Sequence, residues 1–339
     1  MRVLVTGGAG YIGSHTCVSL LDAGYEVAIL DNLSNSRIEA VERIQMIAKR
    51  SVAFFNADVR NRVEIEKVFD GFQPNAVIHF AGLKAVGDSI KDPLRYYEWN
   101  VSGAVALLQV MVRRGVKRLV FSSSANVYGD VTQVPIAENS CIAPTNPYGR
   151  TKAIIEQILA DVVHSDASWS IACLRYFNPM GAHQSGLIGE APIGEPNNLP
   201  PYIAQVAIGR RSELQIFGGG YPTVDGTGVR DYIHVMDLSE GHVAALEYLT
   251  NKSGLITVNL GTGRGYSVLE MVRAFEKASG RSVPYRIVEK RHGDVAQSYA
   301  DTTEAKKLLG WQANYGLDDM CRDAWNWQLM NPHGYTINN

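Results

Sequence analysis

Short apolar runs alternate with longer stretches of helical period through the first half of the chain. Residues 2–6, 26–30, 51–55, 76–80, 118–122 and 170–176 carry the apolar and β-branched density of strands. Residues 14–23, 39–49, 62–69, 93–114 and 148–163 carry apolar positions at helical spacing. Strands that stay apolar along their length are covered on both faces, so the alternation predicts an α/β fold. The expected form is a Rossmann-type doubly wound parallel sheet with helices on both sides. Ligands of such sheets lie beyond the carboxyl ends of the strands. Asp58, the Phe80-Ala81-Gly82 corner and Ser122-Ser123-Ser124 fall at such ends.

The pattern changes near Phe177. Residues 178–201 are rich in Gly, Pro and Asn without a clear period, and a second loop-rich stretch covers 217–228. Beyond it, 258–260 and 283–288 predict strands and 268–279 a helix. The reading is a dinucleotide-binding domain over 1–177 and a smaller mixed α/β substrate-binding domain over 178–339. Their boundary is soft, with some later segments interleaved into the first domain.

Composition narrows the class. The 339 residues are 46% hydrophobic and 19% charged, enough apolar material for a packed enzyme core. A formal net charge of −2 gives no electrostatic case for a nucleic-acid or membrane partner. Cys17, Cys141, Cys173 and Cys321 lie far apart, which fits free thiols in a reducing compartment, and the cytoplasm is the expected location. His15, His79 and His234 share no ligand spacing, so no metal is expected.

Two local patterns carry chemistry. Strand 2–6 runs straight into Gly7-Gly8-Ala9-Gly10-Tyr11-Ile12-Gly13, and a helix follows. Gly7, Gly10 and Gly13 suit a tight turn, a close backbone approach to a pyrophosphate and close helix packing, with the helix N-terminus facing the anion. Asp31 closes the next strand, where a carboxylate accepts from ribose hydroxyls and repels a 2′-phosphate, so NAD is favoured over NADP. The second pattern is Tyr148-Gly149-Arg150-Thr151-Lys152, a phenol and an ammonium on one helix face. A nearby cation stabilises phenolate, so the Tyr148 pKa is expected to fall toward neutrality. Tyr248 and Lys252 repeat the spacing by accident. Only the first pair follows a strand ending in serines whose hydroxyls can share a substrate oxygen.

With these motifs the chain resembles the extended short-chain dehydrogenase/reductase superfamily and, within it, the UDP-glucose 4-epimerases. The likeness runs through MRVLVTGGAGYIGSH, VIHFAGLKAVG, FSSSANVYG, PYGRTK, LRYFNPMGAH, PNNLPPYIAQV, DGTGVRDYIHVMDL and HGDVAQSYAD. It implies that Ser124, Tyr148 and Lys152 are catalytic. It implies that Tyr11, Ile12, Asp31, Asn32, Asn35, Ser36, Asp58, Val59, Phe80, Lys84 and Lys152 contact NAD, with Phe177 near the nicotinamide. Asn178, Asn198, Leu199, Phe217, Arg230, Tyr232, Arg291 and Asp294 then hold the UDP-hexose. Arg230 and Arg291 can each offer a diphosphate a bidentate fork, Asp294 can accept from ribose, and Phe217 or Tyr232 can cover uracil. A homodimer joined through helices 93–114 and 148–163 is implied as well.

Two positions depart from the family pattern. Asn126 replaces the Thr common in epimerases, and Ser298 stands where members restricted to glucose and galactose carry Tyr. The small Ser298 implies room for an N-acetyl group and a second activity on UDP-GlcNAc and UDP-GalNAc. The implied reaction is interconversion of UDP-glucose and UDP-galactose through a 4-keto sugar. The alternatives are a 4,6-dehydratase or decarboxylase of the same superfamily, and a non-catalytic dinucleotide sensor. Dehydratases place Asp-Glu after the catalytic Ser or Thr, whereas Ala125-Asn126 stands here, and a sensor has no need of the proton-transfer trio.

Overall fold

The computed structural model describes residues 1–131, 133–290 and 294–335. The first half alternates as expected: β1 Arg2–Thr6, α1 Tyr11–Asp22, β2 Glu26–Asp31, α2 Ile38–Ala48, β3 Ala53–Asn56, α3 Arg62–Phe72 and β4 Ala76–His79. Next come α4 Val86–Lys91, α5 Pro93–Tyr96, a π-helical turn Tyr97–Ser102, α6 Gly103–Arg114, β5 Arg118–Ser124, α7 Pro147–Ser165 and β6 Ser170–Tyr176. The second half holds β7 Asn178–Met180, α8 Leu199–Ala207, β8 Leu214–Phe217, β9 Val229–His234, α9 Val235–Asn251 and β10 Gly254–Leu260. It closes with β11 Gly265–Ser267, α10 Val268–Ser279, β12 Tyr285–Val288, β13 Gln297–Ser298, α11 Thr303–Leu309 and α12 Leu317–Met330.

Seven parallel strands form the main sheet in the order β10-β6-β5-β4-β1-β2-β3. The order reverses across β1 and β4, and crevices at such a switch point hold ligands. All seven residues of β6 are buried, as a strand covered on both faces requires. One core lies on the α1, α2 and α9 side, around Val5, Leu20, Ile29, Ile78 and Leu246. The other lies on the α3, α6 and α7 side, around Leu4, Ile65, Leu107, Phe121 and Trp169.

The second half divides its chain between two places. β10 pairs in register with β6 from Gly254–Ser170 to Leu260–Tyr176, so residues 254–260 return to the main sheet. The rest builds a small sheet in which β9 pairs with β7, β11 and β13, beside a β8–β12 pair. Its own core gathers Ile203, Ile216, Met271, Phe275 and Trp325.

Caps set several helix starts. The Asn146 side chain accepts from Gly149 N–H at 2.8 Å and Pro147 follows it, so α7 opens with its cap filled and φ preset. Ser267 and Glu270 form a reciprocal capping box on α10. The helix expected over 93–114 is instead three segments: the π-turn at Tyr97–Ser102 inserts a wider loop and turns Asn100 inward.

Candidate active site

At the β1–α1 turn, Gly7 adopts φ +72°, a left-handed geometry that glycine accepts without strain. A Cβ on Gly7 would lie 2.7 Å from Ala81 N, and one on Gly13 would lie 2.3 Å from Gly7 O. The turn is therefore backbone packed on backbone. Gly10 N–H donates to Gly7 O at 3.1 Å, and α1 then starts without a side-chain cap among the described residues. The first-turn amides Tyr11, Ile12 and Gly13 have no acceptor within the helix, the arrangement that suits an anion. At the end of β2, Asp31 accepts from Ala9 N–H at 3.0 Å, Leu33 N–H at 2.9 Å and Ser36 Oγ at 2.8 Å. Asn32 donates to Asp58 at 2.9 Å, and Arg60 hydrogen-bonded to Asp58 holds that carboxyl down at about 2. Val59 is buried beside it, while Asn35 is exposed. The cradle and the paired carboxylates fit a bound dinucleotide.

The loop after β4 completes this rim. Phe80 N–H and Ala81 N–H both donate to Thr6 O, at 2.9 and 3.1 Å, and Gly82 takes φ +157° against the Asn100 side chain. Asn100 accepts from Leu83 N–H at 2.7 Å and donates to Leu83 O and Thr151 Oγ1, both at 3.0 Å. Lys84 pairs with Glu190 at 3.1 Å, and Glu190 also accepts from Asn198 at 2.8 Å. Sequence reasoning missed Asn100 and Glu190. The signal for Asn100 is a π-turn that no periodicity announces, and Glu190 sits in the irregular stretch after β7.

Ser124, Tyr148 and Lys152 meet at the carboxyl end of β5, only 5%, 9% and 6% exposed. Lys152 Nζ donates to Ser122 O at 2.7 Å, and its ammonium lies 4.9 Å from the Phe121 ring centroid and 5.9 Å from that of Tyr148. Ser124 Oγ accepts from Asn126 N–H at 3.2 Å and from Asn126 Nδ2 at 3.1 Å, so Asn126 points at the serine.

One expectation needs correcting. The Tyr148 pKa is raised, because burial outweighs the opposing hydrogen bond with Ser124. Lys152 is lowered to about 8, again by burial, with Glu156 pulling it back up. A low-dielectric site disfavours both charges at once, so in the chain alone the phenol stays neutral while the lysine, still above neutrality, keeps its proton and its charge.

The remaining predicted residues line the second lobe. Phe177 is buried, and its N–H donates to Leu260 O at 3.3 Å. Asn178 pairs with Tyr232 and Ser298 with Arg230, so both predicted residues border β9. Tyr232 is buried and its pKa is pushed up to about 12 by burial. Tyr299 turns the other way and packs near Gly265. Leu199 opens α8 just after Asn198, Phe217 is partly exposed at the end of β8, and Asp294 is half-buried. Arg291 lies outside the described residues. Tyr11 ties the lobes: its hydroxyl donates to Gly181 O at 2.7 Å beside a hollow lined by Glu190, Pro200 and Trp327.

A glycine cradle, a carboxylate closing β2 and a Ser, Tyr-x-x-x-Lys cluster on one parallel sheet together mark a protein of the extended short-chain dehydrogenase/reductase type. The family described as GDP-mannose 4,6 dehydratase matches residues 4–324. UDP-glucose 4-epimerase of Bacillus subtilis is 57% identical over 335 residues, 99% of each chain. A Stenotrophomonas maltophila UDP-glucose 4-epimerase, solved with NAD and formylated UDP-arabinopyranose, is 53% identical with a TM-score of 0.96 over 98% of this chain and 99% of that one. A Campylobacter jejuni UDP-Glc/GlcNAc 4-epimerase is 35% identical, TM-score 0.85, over 97% and 99%. The chain belongs to the UDP-glucose 4-epimerase family.

Proposed function

We propose that this chain binds NAD and interconverts UDP-glucose and UDP-galactose by oxidising C4 to a ketone and reducing it from the other face. The observation that carries the reading is the buried Ser124, Tyr148 and Lys152 cluster, set on the same sheet as the β1–α1 glycine turn. Ala125-Asn126 after the serine offers no acid/base pair for removing water, which argues against the dehydratase alternative.

The side chains have separate tasks. Tyr148 takes the proton from the C4 hydroxyl and returns it, so it works as base and then as acid. Ser124 donates to the same sugar oxygen and keeps the phenol hydrogen-bonded while the proton moves. Lys152 supplies the cation that favours phenolate and binds the nicotinamide ribose. NAD would supply a two-electron acceptor for the C4 hydrogen and a positive charge that favours phenolate, and it would be regenerated within each cycle. We assign the cofactor to the turn from Gly7 to Gly13, to Asp31, Asn32, Asn35, Ser36, Asp58 and Val59, and to Phe80 through Lys84, with Phe177. Asn178, Asn198, Leu199, Phe217, Arg230, Tyr232, Arg291, Asp294 and Ser298 take the UDP-hexose.

Ser298 extends the reading. Its small side chain beside Arg230 leaves room for a 2-acetamido group. Product analysis after mixing the enzyme with UDP-galactose and with UDP-GlcNAc is expected to give UDP-glucose and UDP-GalNAc. Ser298→Tyr is expected to abolish the second product and keep the first, because an overfilled pocket rejects the larger ligand. No turnover of UDP-GlcNAc by the unaltered enzyme removes the second activity, and no turnover of either removes the main reading.

A homodimer through the α4–α7 face fits the exposed Ile90, Leu94, Val112 and Ile154 there. Light scattering is expected to give about twice the 37.2 kDa chain mass, and a 37.2 kDa species contradicts it. No helix among the described residues is long and apolar enough to cross a membrane. The four free cysteines fit the cytoplasm, and a disulfide found in the native protein argues against it.

A further inference from the structure

Three consecutive serines of β5 each hold one residue of α7. Ser124 hydrogen-bonds Tyr148, the Ser122 carbonyl accepts from Lys152 Nζ at 2.7 Å, and Ser123 Oγ donates to Glu156. Tyr148, Lys152 and Glu156 stand four apart and share one helix face. The first two belong to the proposed proton-transfer machinery, while Glu156 has no part in it so far.

Glu156 is mostly shielded, its side chain 11% exposed, and held from behind. Arg175 on β6 donates to it through Nε at 2.9 Å and Nη2 at 2.6 Å, and passes Nη1 to Tyr128 Oη at 3.1 Å and Glu138 O at 3.0 Å. This bidentate fork fixes where the carboxylate stands. In front of it lies the buried Lys152 ammonium, one helical turn away. The titratable groups around that ammonium are Tyr148 and Glu156 on α7, His79 on β4 and Tyr176 on β6, whose hydroxyl bonds Ser122 Oγ. Arg175 and Cys173 on β6 lie on the Glu156 side. His79 is held neutral, driven down to about 3 by burial and by Lys152 itself. Among these described groups only Glu156 carries negative charge at neutral pH.

We propose that Glu156 is a positioning residue that keeps the α7 face in register on β5 and keeps the buried Lys152 charged. The inference rests on the roles proposed for Tyr148 and Lys152. Burial alone drags Lys152 downward and Glu156 opposes it, the direction the geometry requires.

The test is the pH dependence of kcat/KM for UDP-galactose in the full-length Glu156→Gln enzyme. The amide keeps an acceptor for Ser123 and for Arg175 but drops the charge. An ammonium that loses its counter-charge gives up its proton at lower pH, so the alkaline limb is expected to fall by about one unit, a tenfold loss on that limb. Ser123→Ala breaks the clasp but leaves the charge, and its limb is expected to stay in place. A limb unmoved in Glu156→Gln, or moved equally in Ser123→Ala, overturns the inference. If Glu156→Gln does not fold, Glu156→Gln/Arg175→Gln removes both charges; the lost repulsion from Arg175 offsets part of the effect, so the limb is expected to fall in the same direction by less, and a limb that does not move or rises overturns the inference. Tyr148→Phe separates the two levels. Its inactivity beside an unmoved Glu156→Gln limb overturns this inference alone, and its full activity overturns the reading of the site.

Discussion

Tyr148→Phe is expected to lower kcat about a thousand-fold while the protein still folds and still binds NAD. A positioned general acid/base contributes on the order of 10²–10⁴ in rate, and the phenol is the group placed to move the C4 hydroxyl proton. Neighbouring phenols cannot stand in for it. Tyr176 is committed to Ser122 Oγ, and Tyr96 donates to Ala85 O at 2.7 Å. The fold should survive, because phenylalanine fills the same buried volume and the change removes one hydrogen bond with Ser124, worth about 1 kcal/mol. The measurement is steady-state turnover of UDP-galactose beside a thermal midpoint and a count of bound NAD. Turnover within tenfold of the unaltered enzyme contradicts the assignment of the base.

Gly13→Ala is expected to act at the other end of the site, on the cofactor. The added methyl would meet Gly7 O at 2.3 Å and Gly8 Cα at 2.8 Å, and neither is the end of a flexible side chain. Relief requires moving α1 off the turn, at a cost of about 1–3 kcal/mol. The same shift carries the first-turn amides away from the phosphates, and hydrogen bonds to a charged group are worth about 1.5–3 kcal/mol, so losing them costs on the order of a hundredfold in affinity. NAD affinity by calorimetry is therefore expected to fall by about that factor, with a lower thermal midpoint. Gly71→Ala is the contrast. A methyl there meets only the Phe55 ring, at 3.7 Å, within α3, so the midpoint should hold or rise slightly. Unchanged NAD affinity in Gly13→Ala contradicts the cradle.

Much of this was legible in one dimension because it is local. An unbroken apolar run gives β1, a glycine turn follows it, and a phenol and an ammonium share a helix face, all within a few residues. What escaped the reading depends on chain segments far apart. A return of later segments to the first domain was expected, but that 254–260 is the returning strand and pairs with β6 depends on α9, whose buried face over Val235–Asn251 no local pattern announces. The π-turn hides Asn100, because one widened loop shifts the register of helix 93–114 without a change in composition. The sign of the Tyr148 shift was missed for the same reason. Spacing announces the neighbouring cation, but only the packed structure shows how deeply phenol and ammonium are both removed from water. Glu156 reads in sequence as one more helix-surface charge, and only the pairing of β5 with β6 brings Arg175 behind it.

The central claim is that the hydrogen on the fourth sugar carbon leaves and returns within one closed site, with Tyr148 handling only the hydroxyl proton. UDP-galactose carrying deuterium at C4, turned over in ordinary water and analysed by mass spectrometry, tests this directly. The account predicts UDP-glucose that keeps the deuterium at C4. Product whose C4 deuterium has been replaced by solvent hydrogen would contradict it.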